Sequence, residues 1–299
     1  METANRPMAG IFWMLVTGAC FVVVTALVKY LGDGVPAAQA AFLRYLLGLV
    51  FLIPMIGAMR NARYTKPALI QFGVRGAVHS LGVIMWFYAM TRIPIAEVTA
   101  MNYLSPVYVT IGAALFFGEK LAMHRILAVC VALLGAFVIL RPGFRELNDG
   151  HFTMLGTAIF FAISYLMAKK FSGDFSATVV VAMLSLTVTI GLAPFAFAVW
   201  VTPSLGDLVI LFAVASFATL GHLTMTLAFA AAPLTVTQPV TFLQLLWATL
   251  LGVLVFGEAV DSFVLIGGGM IISAISFITW REAHLRRGQI TPSVPQTKS

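Results

Sequence analysis

Several side chains that can carry charge lie within or at the edges of long apolar stretches of this sequence. Arg44, His79, Glu97 and His222 stand among apolar residues in a chain that is 61% hydrophobic and only 10% charged. A soluble domain carries about 25% charged residues, so these stretches are candidate membrane-spanning helices. An ionisable side chain inside a membrane helix is costly and by default marks a functional site. The chemistry expected is ligand recognition or proton transfer within the membrane.

Arg44 and His79 each have a functional and a structural interpretation. Inserting the charged side chain of Arg44 near the middle of a span costs about 2.5–3.5 kcal/mol. It either binds a substrate carboxylate or phosphate through parallel hydrogen bonds, or pairs with Glu97 or with helix-end carbonyls. His79 either donates to a substrate or carries a proton, or it hydrogen-bonds between helices as a neutral imidazole. Arg75 lies about two turns from a span end, and snorkelling to the lipid headgroups is the favoured interpretation.

The fourth and ninth apolar stretches carry the most polar side chains. Pro106 interrupts the fourth and frees a carbonyl about one turn back. The aromatic rings suit an aromatic or sulfur-containing amino acid; the alternative is a tight helix interface with hydrogen bonds worth roughly 0.6 kcal/mol each. We predict ten substrate-binding residues: Arg44, His79, Trp86, Asn102, Tyr103, Tyr165, His222, Gln238, Gln244 and Trp247.

Four residues are predicted to act in coupling or gating. Glu97 either caps a helix in its first turn or couples transport to protons. Glu119 and Glu258 each follow Phe-Gly, where glycine supplies the turn and the glutamate caps the next helix. Pro106 completes the set. Elsewhere, Gly267-Gly-Gly269 most simply permits close helix packing.

An internal repeat indicates the class of protein to which these residues belong. The segment Leu81–Glu119 recurs without a gap as Leu220–Glu258, with ten identities in 39 positions, both segments ending in Phe-Gly-Glu. Two homologous halves within a membrane are the usual build of a secondary transporter.

A span needs roughly 20 apolar residues, and ten such stretches occur. Five spans in each half is an odd number, so the second half must be inverted relative to the first, with the site between them near the midplane. The predicted units are 1–145, 146–283 and a disordered cytoplasmic tail, 284–299. The spans are 8–30, 36–58, 68–90, 95–117, 123–140, 151–171, 177–200, 206–230, 234–256 and 262–281.

The positively charged residues predict an orientation. With the amino terminus inside, twelve of the 18 Lys and Arg residues lie on the cytoplasmic side, four lie outside and two lie within spans. Basic residues are retained in the cytoplasm, so both termini are predicted there, in a multi-pass inner-membrane protein. The net charge of +7 is explained by anionic lipids rather than by nucleic acid.

Other functional classes are disfavoured. The sequence lacks the motifs of zinc and serine hydrolases and a phosphate-binding loop. Cys20 and Cys130 lack metal-ligand spacing. We therefore expect no enzyme activity, no metal, no cofactor and no obligate protein partner. A channel is disfavoured by the inverted repeat, whereas a non-transporting scaffold would not need polar residues at the midplane.

Specific phrases resemble a known family. Phe42-Leu-Arg44-Tyr45-Leu-Leu-Gly48 and the stretch from Tyr88 to Glu97, followed by Leu104-Ser-Pro106, are similar to signatures of the drug/metabolite transporter superfamily, EamA branch. The resemblance implies ten helices in two inverted five-helix repeats, a central cavity and transport of small metabolites such as amino acids. Aromatic amino acid exporters and S-adenosylmethionine carriers are among the related proteins.

The expected function is therefore secondary transport of a small metabolite by alternating access, most simply export or exchange of an amino acid or amino-acid derivative. Nucleoside-like, cofactor-like and drug-like solutes remain alternatives. Proton coupling, exchange and facilitated diffusion all fit the sequence equally well.

Overall fold

The computed structural model describes residues 6–117, 122–144, 146–171, 174–232, 236–237 and 240–290. All of the elements with defined bounds in these ranges are helices. A 3-10 segment, Leu49–Met55, joins α2 to α3. The helices are α1 (Pro7–Leu31), α2 (Ala37–Gly48), α3 (Ile56–Asn61), α4 (Lys66–Met90), α5 (Ile95–Asn102), α6 (Leu104–Phe117), α7 (Met123–Leu140), α8 (Asp149–Phe171), α9 (Ala177–Ala198), α10 (Leu205–Ala231), α11 (Phe242–Phe256) and α12 (Ser262–Ile290).

These helices follow the ten predicted spans. Within the described residues, eight stretches are long and apolar enough to cross a membrane, one of them combining α2, the 3-10 segment and α3. The fourth span is divided into α5 and α6, and the ninth is represented by the shorter α11. Helix α12 continues past residue 283, where the disordered tail was predicted to begin; residues 291–299 lie outside the described chain, so the tail stays a prediction.

Sequence signals explain where several helices begin and end. Ser204 and Asp207 form a reciprocal capping box at the start of α10. Gly32 ends α1 with φ 66°, and Gly257 ends α11 with φ 64°. Both angles lie in the left-handed region, which glycine adopts without steric cost. The turn predicted from the second Phe-Gly-Glu sequence is thereby confirmed at Gly257.

The helices pack in pairs that are preserved when the two halves are exchanged. Helix α1 packs against α10, and the repeat-related pair, α8 and α4, packs in the same way. Three further pairs each map onto themselves: α2 with α9, α5 with α11, and α7 with α12. Such an exchange pattern is expected of inverted repeats. The all-α, two-repeat membrane fold predicted from the sequence is confirmed.

Close packing and lipid-facing surfaces complete the fold. A methyl group built on Gly135 of α7 would lie 2.6 Å from the carbonyl oxygen of Gly267, so the α7–α12 contact requires glycine there. The close packing predicted for Gly267 is confirmed. On the opposite face of α7, Leu127, Leu134 and Phe137 are exposed, as suits a surface that contacts lipid.

Candidate functional site

A cavity of about 250 Å³ lies between the two halves, and both contribute to its wall. Each helix except α3, α7 and α9 supplies a lining residue. The cavity wall, as far as the structure describes it, contains two histidines and no aspartate, glutamate, lysine or arginine. The lining includes the predicted gating residue Pro106 and seven of the predicted substrate-binding residues: His79, Trp86, Asn102, Tyr103, Tyr165, His222 and Gln244.

Aromatic rings form one side of this cavity. The imidazole of His79 stacks on Phe161, with 4.8 Å between ring centroids and 23° between planes. Trp86 approaches Phe161 edge-on at 6.1 Å, and Tyr165 lies 6.1 Å from the same ring. Across the cavity, His222 contacts Phe21 edge-on at 5.2 Å. Rings arranged in this way offer faces and edges to a flat ligand.

The fourth span breaks at the cavity. Helix α5 ends at Asn102 and α6 begins at Leu104, two positions before Pro106. Proline has no N–H, so Pro106 cannot make the helical hydrogen bond to the carbonyl oxygen of Asn102. The Tyr103 hydroxyl donates a 2.8 Å hydrogen bond to the carbonyl oxygen of Thr241, the residue before α11. Tyr103 thus ties the break in one half to the start of the equivalent helix in the other half.

Three polar atoms at the cavity have no hydrogen-bond partner among the described residues. They are Nε1 of Trp86, Oδ1 of Asn102 and Oγ of Ser105. A buried polar group without a partner costs about 1–3 kcal/mol. Because these atoms surround one cavity, a bound ligand or water is the natural source of their missing hydrogen bonds.

Arg75 does not snorkel to the headgroups. Its side chain is buried, and its Nε donates to Ser164 Oγ at 3.3 Å and to the Ser164 carbonyl oxygen at 3.1 Å. Its terminal nitrogen donates to the carbonyl oxygen of Val180 at 3.2 Å. These acceptors on α8 and α9 satisfy the guanidinium inside the bundle, so the snorkelling interpretation was wrong. Ser164 also contacts His79, with Oγ 3.1 Å from Nδ1.

Arg44 lies behind the cavity wall. The guanidinium is buried and sits 4.3 Å from the ring centroid of Tyr45, a lining residue. The described residues provide Arg44 with this cation–π contact but with no hydrogen-bond acceptor. The pair with Glu97, considered from the sequence, is not formed between described atoms of these two side chains.

Charged groups also join the two halves at one end of the bundle. We call this end the Lys29 end; it also contains Arg92, Arg141 and Glu258. Lys29 pairs with Glu258 and donates to the carbonyl oxygen of Ile93 at 3.0 Å. The Glu258 carboxylate accepts a 3.0 Å hydrogen bond from the Ile95 N–H.

Glu258 therefore caps α5, in the other half, rather than the helix that follows it. At the start of the next helix, the Phe263 N–H instead donates a 2.9 Å hydrogen bond to Asp261 Oδ1. The left-handed turn at Gly257 directs the glutamate back across the bundle, where the exposed N–H groups of a helix start attract a carboxylate.

Glu97 lies in the first turn of α5, as predicted, but outside the cavity lining. Its Oε2 is 2.7 Å from Nε2 of His151 on α8, and both side chains are buried. The Asn148 N–H donates to His151 Nδ1 at 3.1 Å, so the ring is held from both sides.

Some predicted residues are not brought to the cavity. Trp247 is 48% exposed on the outer surface of α11 beside Leu246, whereas Leu245 on the opposite face is buried. Apart from Gln244 and Thr249 the helix is apolar, so its sequence did not show on which face Trp247 lies. Gln238 and Glu119 lie outside the described residues.

Other residues at the site were missed from the sequence. Phe161, Tyr45 and Phe21 line the cavity, and His151 pairs with Glu97. The phenylalanines resemble any other apolar side chain in a span. The spacing of Phe161 and Tyr165, four residues apart on one helix face, was the one signal that could have pointed to an aromatic wall.

Comparison with protein families agrees with this geometry. A model described as the EamA-like transporter family matches residues 8–141 and again residues 148–280. The chain belongs to the EamA-like transporter family. It is accordingly a membrane transporter, and the cavity between its two family-matched segments is its candidate substrate site. The resemblance drawn from the sequence is confirmed.

Curated relatives of this EamA-like transporter match most of its length. A riboflavin transporter of Vibrio cholerae is 29% identical over 298 residues, covering 96% of this chain and 98% of the relative. An S-adenosylmethionine uptake transporter of Rickettsia prowazekii is 27% identical, covering 91% and 93%. The pseudopaline exporter CntI of Pseudomonas aeruginosa is 26% identical, covering 89% and 94%. These relatives differ in substrate and in direction of transport.

A solved crystal structure superposes on this EamA-like transporter with a TM-score of 0.60 at 17% identity. It covers 94% of this chain and 98% of its own. The similarity concerns the fold alone.

Proposed function

We propose that this transporter carries a small solute with a flat ring and a group rich in hydrogen-bond acceptors, such as a carboxylate, by alternating access. An aromatic amino acid or a similar amino-acid derivative is the class that fits best. The observation that carries the proposal is the donor character of one side of an aromatic cavity. Trp86 Nε1 can only donate, it is buried, and it has no partner among the described residues.

Charge supports an anionic or zwitterionic substrate. The described cavity lining contains no carboxylate, and Arg44 behind it has no hydrogen-bond acceptor among the described residues. A guanidinium held in a low-dielectric interior just behind the wall attracts a carboxylate in the cavity by its charge. On the α5–α6 break, Asn102 Oδ1 lacks a donor, which suits the amino group of an amino acid.

Size supports a small member of this class. A volume of about 250 Å³ lies just below the roughly 300–1,000 Å³ of drug-sized ligand sites. The stacked pair of His79 and Phe161 adjoins Trp86, so a planar ring has aromatic surfaces to contact.

A cofactor-like solute is the second candidate. The riboflavin transporter of Vibrio cholerae resembles this chain over 96% of its length, and riboflavin is a flat heterocycle with several carbonyl acceptors. The N–H of Trp86, which has no partner among the described residues and suits a carboxylate, would equally suit a carbonyl oxygen of riboflavin. Its larger size requires a wider cavity than the one described.

Alternating access would open and close the two ends of this cavity in turn. We assign the Lys29–Glu258–Ile95 contact as the closing contact of the Lys29 end, which we place outside, with both termini in the cytoplasm of a bacterial cell and the protein in its inner membrane. Export or exchange is the proposed direction. Glu97 with His151 is the proposed place for proton coupling if the transport is coupled.

The test is counterflow into proteoliposomes preloaded with unlabelled L-tryptophan, L-phenylalanine, L-methionine, riboflavin or S-adenosylmethionine. We expect saturable exchange of labelled L-tryptophan or L-phenylalanine. Exchange of riboflavin alone would favour the second candidate. Exchange of S-adenosylmethionine alone would favour a larger amino-acid derivative, because its carboxylate and adenine nitrogens also accept hydrogen bonds. Exchange of none of the five compounds would contradict the proposal.

A further inference from the structure

Arg75, Ser164 and His79 form a hydrogen-bonded chain that ends at the cavity wall. The Nε–H of Arg75 donates to Ser164 Oγ at 3.3 Å and shares the same hydrogen with the Ser164 carbonyl oxygen at 3.1 Å. Ser164 Oγ lies 3.1 Å from Nδ1 of His79. Ser164 is 0% exposed and Arg75 is 4% exposed. A guanidinium has only donors, so the direction of the first hydrogen bond is fixed.

That direction also fixes the second bond. A serine hydroxyl carries one hydrogen, and Nδ1 of His79 is the acceptor that the described residues offer it. If Nδ1 carried the ring hydrogen instead, Ser164 Oγ would receive two hydrogens while its own had no acceptor. An unpartnered hydroxyl in a fully buried position is destabilising. Nδ1 therefore accepts, and the single hydrogen of the neutral imidazole lies on Nε2.

We infer that Arg75 and Ser164 are positioning residues that hold His79 as its Nε2–H tautomer, which turns this part of the cavity wall into a hydrogen-bond donor. His79 lines the cavity, and its Nε2 has no hydrogen-bond partner among the described residues. The inference rests on the proposed function, because it assumes that the substrate occupies this cavity.

The consequence concerns substrate class. At the cavity wall, Nε2–H of His79 joins the indole N–H of Trp86, and neither of these two groups accepts a hydrogen bond. The substrate group that meets them must be an acceptor, such as a carboxylate or a carbonyl oxygen. A substrate whose ammonium or amide N–H points to this wall is excluded, since two donors would then face each other.

A purely structural role is the competing explanation for Arg75, because it also bonds Val180 and so ties α4 to α8 and α9. The two explanations differ in what Ser164→Ala does. Losing the hydroxyl leaves the bonds from Arg75 to the carbonyl oxygens of Ser164 and Val180 intact. It removes the contact that orients the imidazole.

The first experiment observes the tautomer without any substrate. The protein is labelled with ¹⁵N-histidine in nanodiscs, and the ring nitrogens are recorded by NMR. The chain has five histidines, and the His79 signals are those absent from His79→Gln. We expect wild-type His79 to show a protonated Nε2 and an unprotonated Nδ1, and Ser164→Ala to shift both signals toward a tautomer mixture. His222 is the internal control and should not change. A protonated Nδ1 in wild type, or unchanged His79 signals in Ser164→Ala, would overturn the inference.

The second experiment measures L-tryptophan counterflow in a double-mutant cycle. Ser164→Ala should raise KM about tenfold in the wild-type background, yet leave KM unchanged in the His79→Ala background. His79→Gln, whose amide nitrogen can reach the position of Nε2, should retain more affinity than His79→Asn. Equal effects of Ser164→Ala in both backgrounds would show that Ser164 does not act through His79. No L-tryptophan exchange by wild type would count against the proposed substrate, and the NMR result then decides the tautomer alone.

Discussion

Replacing Glu258 by glutamine should open the Lys29 end of the bundle. The carboxylate pairs with Lys29 and accepts the Ile95 N–H at 3.0 Å. The side chains of Lys29 and Glu258 are only 18% and 11% exposed, so solvent screens them little. Glutamine keeps an oxygen for Ile95 but loses the charge. A hydrogen bond to a charged group contributes about 1.5–3 kcal/mol, so the equilibrium between closed and open Lys29 ends should shift by about 10- to 100-fold.

The assay is labelling of a single cysteine by a membrane-impermeant thiol reagent. Cys20 and Cys130, the only cysteines in the sequence, are first replaced by serine. Thr25→Cys then introduces a thiol that faces the cavity one helical turn before Lys29. In intact cells, Glu258→Gln should accelerate labelling about 10- to 100-fold.

Asp33→Asn is the matched control at the same end. Asp33 pairs with Arg92 at 3.1 Å, but their side chains are 67% and 33% exposed. Exposed pairs contribute about 0–1 kcal/mol, so this variant should label almost as slowly as wild type. The reasoning is refuted if Glu258→Gln labels no faster than Asp33→Asn. Labelling that is fast only from the cytoplasmic side of inverted vesicles would refute the orientation.

Two further predictions concern stability. His151→Asn removes a 2.7 Å bond to a buried carboxylate, so the free energy of unfolding should fall by about 1.5–3 kcal/mol; the midpoint of thermal unfolding in detergent should drop, whereas it should not in His284→Asn near the end of α12. Gly267→Leu places a side chain against the backbone of α7 and should abolish monodisperse expression, measured by fluorescence-detected gel filtration. Gly73→Ala, with no atom within 4 Å of the added methyl group, should elute like wild type.

The fold could be predicted because membrane-spanning helices and internal repeats produce clear sequence patterns. Apolar stretches of about 20 residues fix the crossings, and the offset Phe-Gly-Glu sequences relate the halves. Because each half has five spans, an odd number, the second half must be inverted in the membrane relative to the first. Pro106 also marked the broken fourth span correctly, because proline removes a ladder hydrogen bond wherever it occurs inside a helix.

The candidate site could be predicted only in part. Polar residues such as His79, Asn102 and Gln244 stood out against apolar neighbours and lie at the cavity. Phe161 did not stand out, and Trp247 pointed to the wrong face, because a membrane helix can be equally apolar toward lipid and toward its neighbours.

Contacts between residues far apart in the chain also could not be predicted from the sequence. The hydrogen bonds from Arg75 to Ser164 and from the Ile95 N–H to Glu258 join residues 89 and 163 positions apart. Local patterns describe a residue's own helix, so they suggested snorkelling for the arginine and a neighbouring cap for the glutamate. Which partner satisfies a buried charge depends on the packing of the two halves.

The central claim is that substrate binds in the cavity against a wall of hydrogen-bond donors. It is tested most directly by L-tryptophan counterflow with Trp86→Phe, which deletes only the indole N–H and part of the ring, beside Trp247→Phe on the lipid-facing surface as the control. The account predicts that Trp86→Phe raises KM about tenfold, as expected for the loss of one buried hydrogen bond to a charged group, and that Trp247→Phe leaves KM unchanged. Wild-type KM in Trp86→Phe, or a raised KM only in Trp247→Phe, would contradict it.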